Sequence, residues 1–312
     1  MTPAPPDPDK RARLLLESAA GMVHGLPARA IVVAAEALPP LAALPDETIL
    51  LVRDGLPAGL PAVGDDEAGD DHADDAPTAA RLARSARAVV HVPPVRLSRL
   101  GQARLAAMMA MSAGALSLGD EAVFLVGPHR RPIDALFVLQ LGEEYRLAED
   151  GPGRHGEAGE DVGRAVFLRM LSLALMLGQT GREGRPVGTI LVIGDSEAVL
   201  ERSEQLVLNP FRGYPEHERS VLDSRITETI REYSALDGAF VIRADGVVEA
   251  AGAHLRASLA DKLPSGLGSR HAAAAGITAV TDAIAITVSE SGGVVRVWRR
   301  GRMVAVFDPG QT

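Results

Sequence analysis

The sequence predicts an α/β protein of two domains: an N-terminal parallel α/β domain followed by a mixed-sheet α/β domain. Three observations predict it. At 312 residues the chain is long enough for two domains of ordinary size. In the first half, short apolar runs alternate with helical patterns, which implies a mostly parallel sheet flanked by helices. In the second half, tight turns such as Ala244-Asp245-Gly246 and Arg300-Gly301 join neighbouring apolar runs and introduce antiparallel pairs. Hydrophobic residues make up 46% of the chain and aromatics only 3%, so each half can bury a core built from Ala, Val, Leu and Ile.

The elements follow in order. Met1 to Asp9 is proline-rich and lacks the apolar centre of a signal peptide. Ala30 to Ala35, Thr48 to Val52, Ala88 to Val92, Ala122 to Val126 and Ala135 to Leu141 read as strands bounded by Gly, Pro or charge. Ser98 to Leu118 reads as a helix, because Leu100, Leu105, Met108, Met109, Ser112 and Leu116 recur near helical spacing. Asp65 to Asp75 holds seven acidic residues in eleven and no large apolar one. Without the glycine and final glutamate of a calcium loop at proper spacing, it reads as a solvated insertion over about residues 61–77. Glu149 to Glu160, rich in Gly and charge, is the expected linker between domains at 1–148 and 161–312.

Past that linker, Gly163 to Leu177 reads as a buried helix; it carries Arg169 and is too short to span a bilayer. Thr189 to Gly194 is a strand, and Glu197 to Leu206 and Asp223 to Tyr233 are helices. Ala239 to Arg243 and Val247 to Ala251 make a hairpin. Ala272 to Thr278 begins an alanine-rich helix, and Ala283 to Ser289 is a strand. Val294 to Trp298 pairs with Met303 to Phe307.

Composition excludes several functions. The chain has no cysteine, which removes disulfides, thiolate zinc sites and a Cys nucleophile together. A net charge of −9 argues against coating nucleic acid. With no targeting or membrane-spanning segment evident, the expectation is a cytoplasmic protein with neither nucleic acid nor membrane as partner.

The chemistry concentrates in the last quarter. Asp237-Gly238-Ala239 puts a carboxylate on a sharp turn at a strand start. Its ordinary use is to bond its own backbone. Beside a small residue it also suits a hard divalent cation, Mg²⁺ or Mn²⁺. Gly268-Ser269-Arg270-His271 opens a helix, where free amides and the dipole make an anion site. Gly268 lets backbone approach phosphate, Ser269 donates, and Arg270 offers a charged fork. The commoner fate of such a tetrapeptide is a capping serine with a surface arginine, and a lone histidine such as His271 is usually structural. Ser289-Glu290 ends a strand before Gly292-Gly293, bringing a hydroxyl and a second carboxylate. Together these look like a nucleotide site.

Residues from about Pro186 to Val304 resemble the diadenylate cyclase domain, whose signatures are an Asp-Gly-Ala turn, a Gly-Thr-Arg-His-Arg loop and a Ser-Glu strand end. Here they read Asp237-Gly238-Ala239, Gly268-Ser269-Arg270-His271-Ala272 and Ser289-Glu290, in the family's order and spacing. Pro186-Val187-Gly188-Thr189, Asn209-Pro210-Phe211 and Val248 to Leu255 fit as flanking phrases. One position departs: Ala272 stands where the family has its second arginine. The resemblance implies that ATP is the substrate. It also implies catalytic roles for Asp237, Gly238, Ala239, Arg270 and His271, and nucleotide contacts from Leu255, Gly268, Ser269, Arg270, His271, Ser289 and Glu290. Asp237 and Glu290 would hold the metal, and cyclase domains would face each other in a homo-oligomer. About Arg81 to Leu147, through Pro93-Pro94-Val95-Arg96-Leu97-Ser98-Arg99-Leu100-Gly101-Gln102 and the later Leu136 to Gly142, is similar to the C-terminal domain of pyruvate kinase. The joined architecture is similar to one found in archaeal cyclases.

Three functions compete. The first is a diadenylate cyclase, condensing two ATP into cyclic di-AMP and two pyrophosphates. The second is a catalytically weak or inactive nucleotide-binding sensor, which Ala272 would favour and the retained Asp237 disfavours. A pyruvate-kinase-like enzyme is the weakest, because the first half has no phosphate loop or metal cluster in its sequence.

Overall fold

A computed structural model describes residues 8–25, 28–38, 43–53, 82–128, 131–142, 145, 160–181, 184–257 and 267–309. The chain folds as two compact units, which divide between Tyr145 and Arg146 for the described residues. The acidic insertion expected near 61–77 lies outside the described residues. So does the linker expected at 149–160, except Glu160, which starts a helix.

The first unit is a five-stranded sheet in the order β3-β2-β1-β4-β5. Its strands are β1 (Ala28–Ala34), β2 (Thr48–Val52), β3 (Ala88–His91), β4 (Glu121–Val126) and β5 (Ala135–Gln140). The first four are parallel and β5 returns antiparallel on β4. Parallel strands covered on both faces read as continuous apolar runs, as Ile31, Val32 and Val33 do, each 1% exposed or less. Helices α1 (Pro8–Gly25) and α2 (Arg99–Ser112) pack on this sheet. The sequence reading missed α1 altogether. Its buried stripe is Ala12, Leu16 and Ala19, and two alanines leave little apolar contrast to read. Helix α2 stops six residues short of the expected Leu118, because the chain turns at Gly114 with φ +69°.

The second unit is a seven-stranded mixed sheet in the order β12-β11-β10-β6-β8-β9-β7. Long helix α3 (Glu160–Gln179) precedes β6 (Thr189–Ile193), α4 (Ser196–Glu201) and β7 (Ser203–Gln205). Then come α5 (Ile226–Tyr233), β8 (Ala239–Ile242) and β9 (Val248–Leu255). Helix α6 (Ser269–Val280) leads to β10 (Ile284–Val288), β11 (Val295–Arg299) and β12 (Arg302–Phe307). Strands β6 and β8 are parallel and the other neighbours antiparallel.

The expected single helix over Glu197 to Leu206 is corrected here. It ends at Glu201, and Ser203 to Gln205 adds an edge strand to β9, with Gln205 Nε2 donating to the Ala251 carbonyl at 2.6 Å. Edge pairing overrides a weak helical pattern. The second hairpin strand, expected over Val247 to Ala251, runs on to Leu255.

Helix α3 is sealed onto the unit by Arg169, 1% exposed. Its Nε donates to the Val221 carbonyl at 3.2 Å and its Nη2 to Thr227 Oγ1 at 2.5 Å. Burial pushes this guanidinium down to about 10, against a raising effect from Asp223. Near the end of α3, Gly178 meets Gly293 of the β10–β11 turn so closely that a Cβ on either would collide with the other's carbonyl oxygen. This contact fixes the turn that carries Ser289 and Glu290.

Candidate active site

Strand register brings the separate motifs to one edge of the second sheet. Val288 at the end of β10 pairs with Thr189 at the start of β6, and Ile190 pairs with Ala239 at the start of β8. Gly188, Asp237-Gly238 and Ser289-Glu290 therefore leave the sheet at the same side. Helix α6 packs on β10, β11, β6 and β9 and starts there as well.

Gly268, Ser269, Arg270, His271, Val288, Ser289, Glu290 and Ser291 line one open cleft of about 550 Å³. Gly268 is the N-cap of α6, in extended conformation, and its carbonyl accepts from the amides of His271 and Ala272. Ser269 is the first helical residue and caps nothing, which corrects the capping alternative. The amides of Ser269 and Arg270 have no backbone acceptor among the described residues. Arg270 Nη1 donates to Glu290 Oε2 at 3.0 Å. Beneath that pair lies Gly188, where a Cβ would stand 2.5 Å from Arg270 Nη1 and 3.0 Å from Glu290 Cβ. Ser289 Oγ and Ser291 Oγ are 3.4 Å apart.

His271 is 8% exposed and lies edge-on to buried Trp298, with ring centroids 6.0 Å apart. Its Nε2 is 3.2 Å from Arg296 Nη1 on β11, and its buried Nδ1 has no hydrogen-bond partner among the described residues. Burial first, then the charges of Arg296 and Arg270, push the imidazole down to about 4. It is neutral at pH 7.

Asp237 is exposed and accepts from the Gly238 amide at 3.1 Å, the ordinary turn contact. Gly238 has φ +111° and lies against the Gly252 backbone, so a side chain there would be both strained and crowded. Asp237 does not line the cleft. It precedes β8, two strands from β10, or about 10 Å at ordinary strand spacing. Among the described residues no group of three or more His, Asp or Glu gathers as a metal cluster. Glu290 is paired with Arg270 rather than with Asp237.

Ala239, expected in a catalytic role, and Leu255, expected as a nucleotide contact, are both buried. Ala239 is 1% exposed, in the same core cluster as Ala274 and Ala275 of α6. Leu255 is 5% exposed in that cluster, opposite Ser203, and does not line the cleft. Ala272 is 4% exposed on the buried face of α6.

Sequence reasoning assigned no role to Gly188, Ser291 or Arg296. Gly188 stands within the Pro186-Val187-Gly188-Thr189 phrase, and neither it nor Ser291 points to this chemistry alone. Arg296 had one readable signal: in a strand it shares a face with Trp298, two residues on.

The family model described as DisA bacterial checkpoint controller nucleotide-binding matches residues 176–303. A diadenylate cyclase of Methanocaldococcus jannaschii is 38% identical over 202 residues, covering 62% of this chain and 62% of the relative. A diadenylate cyclase of Haloferax volcanii is 34% identical over 201 residues, covering 64% of this chain and 72% of the relative. The match thus spans less than two thirds of the first relative's length. A crystal structure of a double-mutant DacA from Staphylococcus aureus aligns with TM-score 0.33 and 22% identity, over 44% of this chain and 83% of that one. On the sequence matches to its relatives, the chain belongs to the diadenylate cyclase family.

Proposed function

We propose that this protein condenses two ATP into cyclic di-AMP and two pyrophosphates, each ribose 3′-hydroxyl attacking the other nucleotide's α-phosphate. The observation that carries the reading is the shared sheet edge. A helix start bearing Arg270 and a turn bearing Ser289 and Glu290 line one cleft, and Asp237 leaves the same edge. The name borne by both relatives supports the product.

A triphosphate in the cleft would meet the Ser269 and Arg270 amides at the positive end of α6, the Ser269 and Ser289 hydroxyls, and the Arg270 guanidinium. Gly268, with open space where a Cβ would stand, lets phosphate approach the backbone. Leu255 and Ala239 would act from the core, by shaping the sheet edge. The donor set fits a substrate-borne cation better than a protein cage: Mg²⁺ keeps waters and takes one or two carboxylates plus phosphates. Among the described residues Asp237, held by its own turn, and Glu290 are the carboxylates at this sheet edge. When bound, Mg²⁺ or Mn²⁺ would polarise the α-phosphate and acidify the attacking hydroxyl. The protein's own contribution is positioning and fixed charge.

One cleft holds one nucleotide, so two chains must face each other in a homo-oligomer, related by a two-fold axis. The first unit reads as a pyruvate kinase C-terminal-like module that regulates this meeting, a reading supported by its four parallel strands. The cytoplasm, where ATP is available, is the compartment this function requires.

Purified full-length protein incubated with ATP and Mn²⁺ or Mg²⁺ should release cyclic di-AMP and pyrophosphate, detected by chromatography and mass spectrometry. ATP binding without either product would replace the cyclase with a sensor.

A further inference from the structure

His271 presents a buried polar atom that the described contacts leave unexplained. His271 lines the cleft and is 8% exposed, yet its buried Nδ1 has no hydrogen-bond partner among the described residues. The other ring nitrogen, Nε2, is 3.2 Å from Arg296 Nη1. A guanidinium has only donors. Nε2 must therefore accept, and the neutral ring carries its proton on Nδ1. The lone donor so created is the orphaned atom.

Arg296 is placed for this task and not for an ion pair. Among the described residues no carboxylate lies within ion-pair distance of it, and Asp308 is the acid that acts on its charge. It pairs through its backbone with Thr287 and Val306, so its side chain leaves the middle strand of three. Trp298, on the same face of β11, packs edge-on to the imidazole and is itself fixed by donating to Thr287 Oγ1 at 3.0 Å. Arg270 precedes the ring on α6, with Glu290 attached to it. The imidazole thus has two cations near it, and a charged ring would be opposed by both.

We infer that Arg296 is a positioning residue that holds His271 as a neutral Nδ1–H donor, for a phosphate oxygen of the nucleotide in the cleft. A buried donor without an acceptor is costly to keep, and an anion entering the cleft supplies one. His271 then works as a fixed hydrogen-bond donor, not as a cation and not as a proton shuttle. This rests on the nucleotide reading given above, but its first half, the tautomer, is independent of any activity.

The test is ¹⁵N NMR of the imidazole nitrogens in the full chain, with His271 assigned by its absence in His271→Gln. At pH 7 the wild type should show protonated Nδ1 and unprotonated Nε2. Arg296→Met should release the ring to the other tautomer or to a mixture, and Arg296→Lys, which restores a donor, should recover the wild-type pattern. ATP should shift the Nδ1 proton in wild type and not in Arg296→Met. In turnover, Arg296→Met should raise the KM for ATP about tenfold, an effect of one hydrogen bond to a charged acceptor, with the lysine variant recovering most of it. An Nε2–H or doubly protonated ring in wild type overturns the proposal, as does an unchanged tautomer in folded Arg296→Met. If Arg296→Met fails to fold, the wild-type and lysine spectra decide. If no cyclic dinucleotide forms but the tautomer and its ATP response are as stated, the positioning role stands and the cyclase reading alone falls.

Discussion

Arg270 and Glu290 form an ion pair across the mouth of the cleft, Nη1 to Oε2 at 3.0 Å, directly over Gly188. The carboxylate side chain is 69% exposed and the guanidinium 35%. A pair so open to water contributes about 1 kcal/mol or less. It holds Arg270 at the site without binding it strongly. On the proposed function, an entering phosphate would take the guanidinium from Glu290 and free that carboxylate as an oxygen ligand.

Arg270→Ala should therefore separate binding from folding. The loss of a charge-assisted hydrogen bond is worth about 1.5–3 kcal/mol, or roughly 10- to 100-fold in the KM for ATP. The melting temperature should stay within about 2 °C of wild type, because only an exposed pair is removed. An unchanged KM would make Arg270 an ordinary surface residue.

Gly188→Ala should reproduce that phenotype without removing a charged group. The new Cβ would stand 2.5 Å from Arg270 Nη1, the far end of a flexible side chain that can swing away. The fold should survive, and the KM for ATP should rise about tenfold, the scale of one charge-assisted hydrogen bond. The double variant Gly188→Ala with Arg270→Ala should be no worse than Arg270→Ala alone, since both act through one guanidinium. Fully additive losses would refute that route.

His271 predicts a pH dependence of stability. Its folded value is pushed down to about 4 from an ordinary 6.5, by burial and then by Arg296 and Arg270. Between those values the unfolded chain binds more protons than the folded one, so stability rises with pH there. The contribution is complete above pH 6.5 and is lost as pH falls towards 4, by roughly 3 kcal/mol at most. Urea unfolding from pH 7.5 to 4.5 should show a steeper loss in wild type than in His271→Gln. Parallel curves would mean that His271 is not buried neutral.

Much of this was legible in the sequence, and what escaped has identifiable causes. The parallel strands announced themselves through Ile31-Val32-Val33 and their like, because strands covered on both faces are continuously apolar. The hairpin at Asp245-Gly246 followed from turn chemistry, and Gly246 has φ +94°. Helix α1 escaped because Ala12 and Ala19 bury little area and leave a faint stripe. Strand β7 escaped because three polar residues on an edge are held by β9, a partner distant in sequence. At the candidate site, Gly268, Ser269, Arg270, His271, Ser289 and Glu290 were all named and all line the cleft. Leu255 was expected as a nucleotide contact and Ala239 in a catalytic role, and their burial depends on packing under α6 that no local pattern encodes. Gly188 matters through what it lacks, and only three-dimensional neighbours reveal that.

Asp237 gives the last prediction, and it concerns assembly. The carboxylate is exposed, is held among the described residues only by the Gly238 amide of its own turn, and lies at the edge of the cleft's sheet without lining the cleft. Asp237→Asn is nearly isosteric and can still accept that turn hydrogen bond, so the melting temperature should not move. The amide cannot neutralise a divalent cation, so turnover should fall at least about a hundredfold, the scale of losing one preorganised electrostatic contact. If two clefts must face each other, the defect should spread between chains. Wild-type protein mixed with an excess of Asp237→Asn, after exchange of subunits is verified by mass, would be mostly in mixed pairs. A cyclic product needs both α-phosphates attacked, so one damaged site blocks ring closure and leaves at most a linear dinucleotide. Wild-type turnover should then be suppressed in proportion to its loss of wild-type partners. Activity that instead tracks the wild-type chain count, in a demonstrably mixed population, would show that one chain completes the reaction alone.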